Sequence, residues 1–154
     1  MLRSVLGVTA AALVFTLGSG PAPAASAPAP TKPRPDPLAG VPMHPEWGSV
    51  TGTPGILRRG CHTYTFSYTV TPPEGVWALE VFIIGPGFKN VAGAAFLDGY
   101  DPDSGTGSYK LCRPTARYGR FQIEAKVSVD DGAGHIVEGR TATDHYRLRR
   151  PHHR

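Results

Sequence analysis

Between Phe121 and Val129 the chain alternates strictly. Phe121, Ile123, Ala125, Val127 and Val129 are apolar, and Gln122, Glu124, Lys126 and Ser128 between them are polar. A period of two sends successive side chains to opposite faces, so this run predicts a strand with one face on a core and the other in water. Tyr64, Phe66, Tyr68 and Val70 alternate with Thr63, Thr65, Ser67 and Thr69 in the same manner. Pro72-Pro73-Glu74-Gly75 then stops that strand, because fixed proline φ values and a permissive glycine favour a turn. No stretch sustains a helical period with caps, which confines the chain to an all-β fold.

Val76 to Ile84 is apolar on both parities except at Glu80, a pattern that predicts a central strand covered on both faces. Glu80 then either faces solvent or lies buried against an arginine. Gly85-Pro86-Gly87 breaks the run, and weaker strands are expected over Val91 to Leu97 and Gly107 to Arg113. Asp130-Asp131-Gly132-Ala133-Gly134 has hairpin chemistry, so His135 to Leu148 should return beside the alternating run, with an irregularity at Gly139. A first strand within Ser49 to Leu57 brings the total to about seven over roughly 100 residues, the spacing of an antiparallel two-sheet sandwich.

Gly119-Arg120-Phe121-Gln122-Ile123-Glu124-Ala125, followed by a glycine-rich hairpin, resembles the last two strands of immunoglobulin-like and fibronectin-type-III-like domains. Trp77, sixteen residues after Cys61, resembles the core tryptophan of the immunoglobulin pattern. Phe121 stands where that family places a corner tyrosine, and Ile123 where it places its second cysteine. The resemblance implies a fold and no particular function, since such sandwiches serve adhesion, carbohydrate binding, inhibition and plain spacing.

The N-terminal end reads as an address. Arg3 precedes an apolar run from Val5 to Leu17 that is short for a membrane anchor, and Ala22-Pro23-Ala24 offers the small residues of a cleavage site. Residues 1–24 are therefore expected to be a signal peptide, and the product to be secreted without a transmembrane anchor. Nine of the sixteen prolines lie between Pro21 and Pro45, so residues 25–46 are expected to be a disordered Pro/Ala-rich linker. The sandwich should occupy 47–150 and a basic tail 151–154. Arginine outnumbers lysine twelve to four, a bias typical of GC-rich bacterial coding.

Export gives the two cysteines their simplest reading, one disulfide between Cys61 and Cys112. Cys61 has the opposite parity to Tyr64, Phe66 and Tyr68, and Cys112 the opposite parity to Tyr109 and Leu111. The bridge should therefore staple strand edges or one end of the sandwich rather than sit against Trp77.

Candidate chemistry is sparse. Asp98, Asp101 and Asp103 fall within six residues, with Gly99 and Gly105 for tight turning, and such a loop could offer oxygen ligands to Ca²⁺. Asp103-Ser104-Gly105 matches the tripeptide around a trypsin-like nucleophile, but Pro102 stands where that family needs glycine and one small domain is available. Glu74, Glu80, Glu124 and Glu138 are the carboxylates from which a weak acid-base hydrolase would have to draw. For binding, the candidates are the loops bearing Phe88 and Tyr100 and the basic end with Arg147, Arg149 and Arg150. That basic end suits an anionic cell-wall polymer or an acidic extracellular protein. Trp47, Phe88, Phe96, Tyr100 and Tyr118 would form a sugar-stacking surface if exposed together. A net charge of only +4 with no stacking motif argues against nucleic acid. The leading expectation is a non-catalytic binding module without a required cofactor.

Overall fold

The computed structural model describes residues 36–86 and 92–151. The expected signal peptide, residues 25–35 of the expected linker, Phe88 and residues 152–154 lie outside them. Following a single 3-10 turn at Pro45–Trp47 come β1 (Gly48–Gly52), β2 (Gly55–Ile56), β3 (Cys61–Val70), β4 (Val76–Ile84), β5 (Ala92–Leu97), β6 (Ser104–Cys112), β7 (Gly119–Asp130), β8 (Ile136–Arg140) and β9 (Asp144–Arg149). One sheet has the order β1-β3-β6. The other runs β2-β9-β7-β4-β5, with β8 pairing the second half of β7. Every pairing is antiparallel except β2 with β9. The chain is an all-β sandwich. Among the described residues no helix is long and apolar enough to cross a membrane.

The expected first and last strands are each divided in two. Pro54 has no N–H to give the ladder, so the first run leaves β3 after Gly52 and continues as β2 beside β9, in the other sheet. The returning run breaks between β8 and β9, where Thr141 exchanges hydrogen bonds with the Ala125 backbone. Gly139 stays inside β8, and its missing Cβ admits the ring of Trp47.

β4 is central by hydrogen bonding, between β7 and β5, but only one of its faces is covered. Trp77, Leu79, Val81 and Ile83 are buried, whereas Val76 and Glu80 are exposed and Ala78, Phe82 and Ile84 half-buried. Among the described residues no second layer lies over that side. Glu80 faces solvent opposite Lys126 of β7, with the Lys126 ammonium 2.7 Å from its carboxylate.

The inner faces meet in one core. β7 contributes Phe121, Ile123, Ala125, Val127 and Val129, as its alternation predicted. Phe66, Tyr68, Val70, Tyr109 and Leu111 come from the smaller sheet, and Tyr146 and Leu148 from β9. Gly52 and Gly107 leave room for the rings of Tyr146 and Phe66, which a Cβ at either position would strike. The Tyr109 and Tyr146 hydroxyls share a buried hydrogen bond of 2.6 Å between the sheets.

Burial pushes the Tyr109 phenol up to about 12, and Tyr146 is raised as well, chiefly by the same desolvation. Folded values above the ordinary 10.0 mean that both tyrosines stabilise the fold fully below pH 10. That contribution is lost as pH rises from there toward about 12, because the unfolded chain ionises first. Titration followed at 295 nm should therefore show two phenols that ionise only together with unfolding. Smooth ionisation of all phenols while the near-ultraviolet dichroism persists would contradict this packing.

The folded part begins earlier than residue 47. Leu38 is 1% exposed, the Leu38 amide donates to the Asp36 carboxylate, and Met43 forms a bridge with Arg140. Residues 36–46 thus lie on the sandwich rather than in a disordered linker, because Asp36 and Leu38 supply a charge and a buried apolar anchor that a proline count overlooks. Arg140 is the centre of this contact. Its guanidinium reaches Asp36 at 3.0 Å and Glu124 at 2.7 Å, and Glu124 is completely buried.

Candidate functional site

Cys61 and Cys112 face each other at the end of the β3–β6 ladder and form the predicted disulfide. Cys61 is exposed and Cys112 half-buried, so the bridge staples the end of the smaller sheet away from Trp77. The half-cystines open directly onto two connections, Leu57–Gly60 before β3 and Arg113–Tyr118 after β6. An Arg113 amide donating to the Gly60 carbonyl at 2.9 Å ties them together. Gly60 takes a φ of +80°, a left-handed geometry that glycine adopts without strain. The end of β9 closes the third side, with the Leu57 amide donating to the Arg149 carbonyl.

Between these segments lies a groove of about 920 Å³, lined by Ile56, Arg58, Arg59, Arg113, Tyr118 and Arg150 together with Gly60, Pro114 and Pro151. Four arginines and no acidic residue line it. None of the four forms an ion pair with a carboxylate among the described residues. Their surroundings are equally one-sided, since the segments 49–73, 104–123 and 145–151, which run through this end, contain no Asp or Glu at all. Like charges gathered in a concave, partly apolar site raise the local potential and draw in anions.

The groove is partly preorganised. Arg113 is half-buried, donates to the Ala116 carbonyl at 2.6 Å and lies over the Tyr118 ring at 4.1 Å. Leu57, fully buried, anchors one side of the Arg58-Arg59 pair. The His62 Nε2 lies 2.6 Å from the Arg59 carbonyl, and since a carbonyl only accepts, that nitrogen carries the proton. Arg58 and Arg59 are thus presented from a braced backbone with exposed side chains.

The residues expected to bind are divided by the fold. Arg150 lines the groove. Arg149 is exposed at the end of β9, and Arg147 projects from the outer face opposite Arg120. Tyr100, 89% exposed, belongs to the β5–β6 connection at the other end of the sandwich, so it shares no surface with these arginines. Phe88 falls outside the described residues.

Asp98, Asp101 and Asp103 also lie at that far end. Asp101 spends its carboxylate on the Leu97 amide of its own turn at 2.9 Å, and the Asp103 carbonyl accepts from Val70. Among the described residues no three His, Cys, Asp or Glu side chains are grouped to hold a metal ion. Trp47, Phe96 and Tyr118 pack against the core instead of joining Tyr100 in an exposed row.

Arg58, Arg59 and Arg113 are not among the residues that the sequence singles out, although a signal is present. Arg58-Arg59 shortly precedes Cys61 and Arg113 directly follows Cys112, so pairing the cysteines already brings those arginines together. The chain matches no protein-family model, and no curated protein matches it.

Proposed function

We propose that this protein is an exported, non-catalytic binding module, of immunoglobulin-like type, whose ligand is anionic and sits in the arginine groove beside the disulfide. Four arginines that line one concavity, none of them ion-paired with a carboxylate among the described residues, carry the reading. The β1-β3-β6 sheet opposite β9-β7-β4-β5 supports the immunoglobulin-like assignment, and an oxidised cysteine pair fits export.

Inorganic triphosphate is a suitable probe, titrated calorimetrically at low and at moderate salt. Arg58→Glu/Arg59→Glu should weaken binding by about tenfold or more, whereas Arg147→Glu on the outer face should change it less than about twofold. Affinity should also fall as salt rises, since the pair is exposed. Binding that survives the double substitution, or that responds equally to Arg147→Glu, would move the site elsewhere on the basic surface.

A further inference from the structure

The arginine groove does not end at Arg58. A second hollow of about 440 Å³ shares Ile56 and Arg58 with it and continues over Thr53, His62, Thr63, Tyr64 and Thr65. Tyr64 braces the junction, its hydroxyl accepting the Arg58 amide at 3.1 Å and donating to the Ile56 carbonyl at 3.4 Å. Beyond it lies the outer face of the β1-β3-β6 sheet, and this face has an unusual composition. Ser49 and Thr51 on β1, Thr63, Thr65, Ser67 and Thr69 on β3, and Ser104, Thr106 and Ser108 on β6 are all exposed. They stand in register, with Thr65 opposite Ser108, Ser67 opposite Thr106 and also Thr51, and Thr69 opposite Ser104 and Ser49.

Solvated sheet faces ordinarily mix charges of both signs. Here the hydroxyls repeat at the sheet's own spacing, roughly 5 Å across strands and roughly 7 Å along them. Lys110, at the groove end, is the one charged side chain on β3 or β6 that shares this face.

A hydroxyl face binds a neutral compact ligand weakly, because each hydrogen bond gained replaces one to water. Coupled to a charge anchor, the same face adds contacts that accumulate along a polymer. The two surfaces are contiguous, one cationic and one rich in neutral donors and acceptors. Nucleic acid would want a row of stacking rings, and only the half-buried Tyr118 is present in the groove. We infer that the arginine groove and the Ser/Thr face form one continuous track for a hydroxylated chain that carries acid groups at regular intervals. Polyuronates and polyol phosphates share that chemistry. This rests on the groove being an anion site.

The test compares short and long probes on the intact protein. Triphosphate reports the groove alone, while oligogalacturonates and oligo(glycerol phosphate) of two and of eight units report the track from its two chemical sources. The eight-unit chain of at least one series should bind about tenfold tighter than its two-unit form. Thr63→Val/Thr65→Val keeps strand shape and removes two hydroxyls. It should cut the eight-unit affinity by about threefold or more and leave triphosphate within about twofold. Thr65→Ala, with a melting curve for each variant, checks that the fold is retained.

Whichever series shows the length dependence identifies the acid group. If triphosphate binds through Arg58 and Arg59 but neither series depends on length or on the threonines, the track is wrong and the groove stands. If triphosphate itself does not bind, the groove reading falls as well.

Discussion

Arg140→Ala is expected to destabilise the protein by about 3–5 kcal/mol, the range for removing one partner of a buried ion pair. Glu124 is 0% exposed and depends on Arg140 for its closest contact, at 2.7 Å. Thr143 at 3.1 Å and Gln122 at 3.3 Å reach the same oxygen. The other oxygen, Oε1, is buried with no hydrogen-bond partner among the described residues. Without the guanidinium, a buried carboxylate would keep only neutral donors, and the melting temperature should fall by roughly 15 °C or more.

The comparison that isolates this cause is Glu124→Leu/Arg140→Leu, which removes both charges and should recover much of the loss. Asp36→Ala should cost less than about 1 kcal/mol, because that carboxylate lies at the surface. The Leu38 amide, ahead of Arg140, holds the Asp36 carboxyl below its usual range. If Arg140→Ala melts within a couple of degrees of the parent, the pair does not bind residues 36–46 to the sandwich.

Opening the disulfide has an effect of similar size by a different route. Cys61 and Cys112 are separated by 51 residues, and on the chain-entropy model a loop of that length stabilises the fold by about 4 kcal/mol. Cys61→Ser/Cys112→Ser should lose that amount in denaturant unfolding, mainly through a less constrained unfolded state. The nine-residue pairing of β3 with β6 should keep the variant folded at low temperature. There a second readout becomes available. The bridge adjoins the connections that carry Arg58, Arg59 and Arg113, so triphosphate affinity should weaken in the folded variant. Full stability without the bridge would show that the β3–β6 ladder already restricts the chain. Unchanged affinity would show that the Arg113–Gly60 hydrogen bond suffices to shape the groove.

Glu80 and Glu124 show how far alternation can be read. Glu80 interrupts an apolar run, which leaves a solvent-facing and a buried position open, and it faces water beside Lys126. Glu124 sits on the polar parity of the most regular strand in the chain and is nevertheless fully buried. Parity identifies the face of a sheet on which a side chain lies, and in both cases that face is the outer one. What covers the outer face is decided by distant residues. Over Glu124 it is Arg140, in contact with Asp36, together with the segment leading from β8 to β9; over Glu80 there is no covering layer among the described residues.

The candidate site divides in the same way. Residue parity was enough to place the disulfide outside the core, and the arginine-rich end of β9 was visible as a charge run. Tyr100 and the three aspartates were assigned to loops correctly, but loop identity does not reveal which end of a sandwich a loop occupies. That depends on strand direction, and Tyr100 emerges at the end opposite Arg150.

By itself the sequence determined the β class, the inward residues of β3 and β7, the turns between the strands and the outward position of the cysteines. These properties follow from period two, proline and glycine stereochemistry and the pairing of two thiols, all of them short-range or binary rules. Only the tertiary structure decided that Arg58, Arg59, Arg113 and Arg150 share a groove, that the hydroxyls of three strands form one face, and that Glu124 is enclosed. Each of these joins residues tens of positions apart, and the free energy that selects such contacts comes from packing the two sheets together, to which no local pattern is sensitive.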